Sequence, residues 1–165
     1  MRALIVDDEP LARRGVVLRL RKFKDVEIIG ECGDGSSAVQ KIVELSPDVV
    51  FLDVQMPGMD GFDVLRALPR ESLPGVIFLT AYEQHALRAF EVHALDYLLK
   101  PVDDARFAAA VGRARKLVDS DLKATLAQQN VTLLGELGFE NDYALVMPRK
   151  RAEVKMIEGS TPLLR

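Results

Sequence analysis

Five short apolar runs, four of them ending abruptly in a polar side chain, alternate with longer stretches of helical spacing, and few folds accept that pattern. Ala3–Val6 ends in Asp7-Asp8, Asp48–Leu52 in Asp53, Val76–Leu79 in Thr80 and Ala94–Leu99 in Lys100; Val26–Gly30 is the fifth run. Runs this short and apolar read as strands buried on both faces. Strands of that kind alternating with helices build a parallel sheet.

The intervening stretches supply the helices. Pro10 suits a first helical turn, and Leu11, Gly15, Val16, Leu18 and Leu20 form a loose apolar face. Asp34 can cap a second helix whose face is Ala38, Val39, Ile42, Val43 and Leu45. Phe62, Val64, Leu65 and Leu68 make a short third helix stopped by Pro69, and Ala86–Val92 makes a fourth. From Asp103 a helical pattern continues to residue 134, with Phe107, Ala110, Val111, Ala114, Leu117 and Val118 on one side and Gly135 and Gly138 as stop signals. The expected fold is α/β: a five-stranded parallel sheet, doubly wound into a three-layer sandwich over residues 1–120, with an extended last helix.

Composition narrows the function. A net charge of −3 on 165 residues gives no general reason to expect nucleic-acid binding. The single cysteine, Cys32, excludes an internal disulfide and reads as a small core hydrophobe. MRALIVDDEP has too short an apolar run for a signal peptide, and no stretch reaches the ~20 apolar residues of a membrane span. A soluble cytoplasmic protein with no membrane partner is expected.

In a doubly wound sheet the carboxyl ends of the strands converge on the functional crevice. Those ends hold Asp7, Asp8, Asp53, Thr80 and Lys100. Three carboxylates together repel one another unless a cation neutralises them. With oxygen donors and no His or Cys, that cation is Mg²⁺ rather than zinc. Lys100 can pair with a carboxylate or an added anion, and the Thr80 hydroxyl can donate to a phosphoryl oxygen. Cations and donors of this kind serve phosphoryl transfer, and a carboxylate nucleophile would form an aspartyl phosphate. Asp53, on a central strand with acids to one side and Thr80 and Lys100 to the other, is the candidate acceptor.

The motifs IVDDEP, VVFLDVQMPGMDGF, IFLTAY and DYLLKP, in this order, resemble those of bacterial two-component response regulator receiver domains over residues 1–120. The resemblance implies that Asp53 is the phosphoacceptor and that Asp7, Asp8, Asp53 and the Gln55 backbone carbonyl bind Mg²⁺. It implies that Thr80 and Lys100 contact the phosphoryl group and that Tyr97 is the switch aromatic that follows Thr80. It also implies a cis Lys100-Pro101 bond and a sensor histidine kinase as donor. In such domains the transfer and a slow autodephosphorylation are self-catalysed, without classical enzyme turnover. ALRAFEVHALDYLLKPV is similar to receivers of the LytR/AlgR class, which usually precede a LytTR DNA-binding domain.

Taken singly, each residue has a plainer reading. Asp7-Asp8 could cap a helix, Asp53 could be a loop acid, Thr80 a strand-end cap and Tyr97 a packing residue. Their joint placement at four strand ends favours the site. His85 and His93 read as surface or core-edge residues. A phosphatase of the haloacid-dehalogenase kind wants an acid where Gln55 stands. An FMN-binding loop would not be Asp-Asp-Glu, which repels phosphate.

Residues 121–138 read as a helical linker in which Leu122, Leu126, Leu133 and Leu137 recur, either wet on one face or dimer-forming. Residues 139–165 hold a strand candidate, Tyr143–Met147, and a basic cluster, Arg149-Lys150-Arg151, but no recognisable output domain. Phosphorylation is expected to alter the face formed by helix four, strand five and helix five, and to promote a homodimer through it. DNA binding is expected only through a separate output domain. The alternatives are a DNA-binding regulator whose tail makes contacts and a stand-alone adaptor for a protein partner.

Overall fold

The computed structural model describes residues 1–69, 72–86, 89 and 92–136, with the backbone alone for 123 and 125–136. Five parallel strands form one sheet in the order β2-β1-β3-β4-β5. They are β1 (Arg2–Val6), β2 (Glu27–Cys32), β3 (Val49–Leu52), β4 (Gly75–Thr80) and β5 (Asp96–Leu99). Helices α1 (Pro10–Leu20), α2 (Gly35–Leu45) and α3 (Gly61–Ala67) intervene, and a long helix, Asp104–Glu136, follows β5.

The alternation of side chains along each strand sorts the apolar residues into two cores. Ala3 and Ile5 of β1, Val49 and Phe51 of β3, and Ile77 and Leu79 of β4 face α1 and the long helix, where Val16, Val17, Leu20, Phe107, Ala110, Val111 and Ala114 are buried against them. Leu4, Val6, Val50, Leu52, Val76 and Phe78 face the other way, onto Ala38 and Ile42 of α2 and Phe62, Val64 and Leu65 of α3. Phe51 stacks on Phe107 at 5.3 Å between ring centroids, and Phe62 meets Phe78 at 4.8 Å, one pair in each core.

The helix ends follow local chemistry. Asp34 caps α2 by accepting the Ser37 N–H, as anticipated. Asp60 caps α3 through a reciprocal capping box with Asp63, which the sequence reading overlooked. Leu68 leaves α3 in an extended conformation because it precedes Pro69.

Several expectations need correction. Strand two is Glu27–Cys32 rather than Val26–Gly30; it pairs with β1 as far as Val6, and a register shift between Ala3 and Leu4 that skips Ile29 sets Cys32 rather than Glu31 opposite Val6. Strands three and five begin later than expected, at Val49 and Asp96. On α1, Leu11 and Leu18 are exposed, because Val16, Val17 and Leu20 set the buried side. Val43 on α2 is likewise exposed. A 3-10 turn, Glu83–His85, precedes the expected fourth helix, of which Ala86 and Ala89 are helical and Val92 lies in a turn; 87, 88, 90 and 91 lie outside the described residues. Gly135 does not stop the long helix, which reaches Glu136. Leu117 and Val118 are half-buried and Leu122 is exposed, so the long helix outgrows its apolar seat. Tyr143–Met147 and the Arg149–Arg151 cluster lie outside the described residues, as does Gly138.

Candidate functional site

Strand order reverses between β1 and β3, and the crevice of a doubly wound sheet opens at such a point. The two strands are locked together there by the Asp53 N–H, which donates to the Val6 carbonyl at 2.8 Å. Asp7 and Asp53 therefore leave adjacent strands side by side. Both are buried, at 2% and 7% exposure, while Asp8 is exposed. Carboxylate oxygens of Asp7, Asp8 and Asp53 all lie within 4.8 Å of one another.

Lys100 enters this cluster from the end of β5. Its N–H donates to the Thr80 carbonyl at 2.9 Å, extending the β4–β5 ladder past the Thr80–Leu99 pair. The ammonium then donates to Asp7 Oδ2 at 2.6 Å and to Asp53 Oδ2 at 3.0 Å. The Lys100-Pro101 bond is cis. The other oxygens are held by backbone: Asp7 Oδ1 accepts the Glu9 N–H at 2.9 Å, and Asp53 Oδ1 accepts the Gln55 N–H at 3.2 Å. Neither Asp7 nor Asp8 caps α1. Its N-cap is Glu9, with no side-chain cap bond.

Electrostatics record the crowding. Burial holds the Asp7 carboxyl above its ordinary range, against the lowering pull of the Lys100 and Glu9 bonds, and the Asp53 charge pushes the same way as burial. For Lys100 burial works to lower the pKa, but the hydrogen bonds and charges of Asp7 and Asp53 outweigh it and the ammonium is held more firmly than usual. Both pKa values rise: for Lys100 two carboxylate partners outweigh burial, and for Asp7 burial outweighs its bonds to Lys100 and Glu9. Three carboxylates share one ammonium, so the cluster has more negative charge than its own lysine neutralises.

Thr80 is fully buried at the end of β4, and its hydroxyl receives the Tyr82 N–H at 3.4 Å. Tyr97 is half-buried on β5 beside Phe78, with centroids 6.2 Å apart, and its hydroxyl donates to the Tyr82 carbonyl. Tyr82 thus touches both residues. Burial, then the charges of Asp53 and Glu83, raise the Tyr97 phenol pKa. His85 sits 6.2 Å from the Phe62 ring and His93 is exposed in a turn at φ 53°; neither belongs to the acid cluster. Cys32 is buried, and burial pushes its thiol up to about 11, as fits a core residue. One residue that sequence reasoning missed, Arg13, reaches the Asp7 carbonyl from α1.

The sequence over residues 3–112 matches the model of the response regulator receiver domain family. The chain belongs to that family. It is 42% identical over 136 residues to the transcriptional regulatory protein BtsR of Escherichia coli strain K12, covering 82% of this chain and 54% of that protein. It is 47% identical over 113 residues to an uncharacterized response regulatory protein of Yersinia pestis, covering 68% and 48%. The chain thus spans about half the length of these relatives. Among solved structures it resembles the response regulatory domain of mrkE from Klebsiella pneumoniae, at TM-score 0.62 and 30% identity over 73% of this chain and 97% of that one. It also resembles the signal receiver domain of NarL from Mycobacterium tuberculosis, at TM-score 0.62 and 35% identity over 69% and 95%. This is the receiver domain of a two-component response regulator, with the flavodoxin-like strand order its motifs implied. No helix among the described residues is long and apolar enough to cross a membrane.

Proposed function

We propose that Asp53 accepts a phosphoryl group from a phospho-histidine of a sensor kinase. The observation that carries this reading is the excess negative charge of three acids around one ammonium at the strand ends. A cluster of oxygen donors short of positive charge fits a hard divalent cation. Asp7, Asp8, Asp53 and the Gln55 carbonyl would hold Mg²⁺, which supplies charge neutralisation for phosphoryl oxygens when bound. A carboxylate oxygen of Asp53 forms the new O–P bond as the donor N–P bond breaks, the electron pair returning to the imidazole nitrogen. Lys100 moves part of its hydrogen bonding from Asp53 to the added phosphoryl oxygens, and the Thr80 hydroxyl donates to another. Tyr97, joined to Thr80 through Tyr82, passes the change to β5 and the long helix, and the face there pairs with a second copy.

Phosphoryl incorporation from radiolabelled acetyl phosphate tests the chemistry. Label is expected on the wild type with Mg²⁺, and none with a chelator or in Asp53→Asn. Equal labelling of Asp53→Asn would overturn it. Light scattering with and without beryllofluoride tests the pairing: a mass that doubles supports it, and an unchanged mass rejects it.

The name transcriptional regulatory protein, carried by a relative about twice as long as the match, supports an output that regulates transcription through a region beyond the receiver. A LytTR domain is the output we favour. Residues 1–120 act as the receiver and 121–138 as the link, of which 137 and 138 lie outside the described residues.

A further inference from the structure

Arg13 has no part in the chemistry above, yet it grips the acidic loop. It lies one turn into α1, and helical side chains lean back toward the helix N-terminus. Its Nη1 donates to the Asp7 carbonyl at 2.6 Å, and its Nε lies 3.8 Å from Glu31 Oε2 on β2. Gly33 leaves room for the guanidinium, since a Cβ there would stand 3.2 Å from Nη1.

The consequence falls on Asp8. Asp7 is held independently: its N–H donates to the Cys32 carbonyl at 3.1 Å, and its carboxylate engages Glu9 and Lys100. Asp8 is exposed, and it leaves the strand end through the 7–8 peptide. That peptide is planar, so whatever fixes the Asp7 carbonyl fixes the plane and the direction in which Asp8 departs. We infer that Arg13 is a positioning residue that, by holding the Asp7 carbonyl, aims the Asp8 carboxylate into the cluster with Asp7 and Asp53. The inference deepens the receiver reading, and it rests on that reading for taking the cluster to be a cation site.

Charge and position act here with opposite signs. Deleting a cation beside a cation site tightens metal binding if only charge matters, and weakens it if Asp8 loses its aim. Mn²⁺ is the probe, with the free ion counted by electron paramagnetic resonance. Arg13→Ala is expected to weaken Mn²⁺ binding about tenfold, as loss of an outer-shell partner commonly does. Arg13→Gln, which keeps N–H donors without the charge, is expected to retain most of the affinity. Adding Arg13→Ala to Asp8→Asn is expected to change little further, because the two act through one carboxylate. Affinity unchanged or tighter in Arg13→Ala, or an undiminished loss in the Asp8→Asn background, overturns the inference. If Arg13→Ala does not fold, Arg13→Gln carries the contrast alone: tighter binding would indicate charge and sink the positioning role. Wild type that binds Mn²⁺ but takes no label from acetyl phosphate sinks the receiver chemistry and leaves Arg13 standing; wild type that binds no Mn²⁺ overturns both.

Discussion

Gly61 and Gly112 both sit in helices, and alanine at each is expected to act in opposite directions. Intrinsic propensity alone favours alanine over glycine in a helix by about 0.8–1.0 kcal/mol. At Gly112 a Cβ meets nothing within 4 Å, so Gly112→Ala is expected to stabilise the domain by roughly 0.5–1 kcal/mol. At Gly61, the first residue of α3, a Cβ would stand 2.4 Å from the Asp53 carbonyl oxygen, with Leu52 Cγ and Val54 Cα each at 3.2 Å. Those first and last atoms are backbone and cannot swing away. The Gly61 N–H is also bonded to the Val54 carbonyl at 2.8 Å, so α3 cannot retreat without losing that bond. Overpacking of this kind costs about 1–3 kcal/mol, which exceeds the propensity gain, so Gly61→Ala is expected to be net destabilising. Urea unfolding followed by circular dichroism reads both variants, with equal slopes required before midpoints are compared. The same displacement should move Asp53, so Gly61→Ala should also slow labelling by acetyl phosphate. A Gly61→Ala domain as stable as Gly112→Ala would refute the claim that close backbone approach positions Asp53.

Two further outcomes follow from the charges. Lys100→Met leaves Asp7 and Asp53 facing each other without their ammonium; with Lys100 still 23% exposed, a loss of about 1–3 kcal/mol is expected, below the range for a fully buried pair. Mg²⁺ should restore more stability to this variant than it adds to the wild type, and equal gains would count against a shared cation site. The Cys32 thiol, with a pKa raised by burial from 9.0 to about 11, keeps its proton in the fold after the unfolded chain has lost it. The stability it contributes is therefore intact below pH 9 and declines as pH rises toward 11, by about 3 kcal/mol at most, relative to Cys32→Ala. Parallel pH profiles for the two proteins would show that the thiol is not buried as described.

Much of this architecture was legible because a strand buried on both faces leaves a run of apolar residues, and because its polar end residue marks where the run stops. That logic located Asp7, Asp53 and Thr80, at the ends of the buried strands β1, β3 and β4, without knowledge of any contact; Lys100 was found the same way although it follows the edge strand β5, where Leu99 is exposed. It failed where packing, rather than pattern, decides. A bulge opposite Ala3 and Leu4 advances the pairing of β2 by one residue, setting Cys32 opposite Val6, and nothing in the composition of that stretch marks it. Leu11 and Leu18 have the right spacing for a buried face but lie on the solvent side of α1, because Val16, Val17 and Leu20 meet the sheet. The Asp60–Asp63 box was readable from its spacing and was overlooked in favour of the apolar residues after it. Arg13 was not readable in this way. Its partner is a backbone carbonyl brought to it by the turn between β1 and α1, and no residue pattern announces such a bond.

The most direct test is to find where the phosphoryl group goes. The chain is treated with acetyl phosphate and Mg²⁺, weighed intact, digested and mapped by tandem mass spectrometry. The account predicts one adduct per chain, carried by the peptide that contains Asp53 and absent without metal. An adduct on another residue, or one that forms equally well in Asp53→Asn, would contradict it.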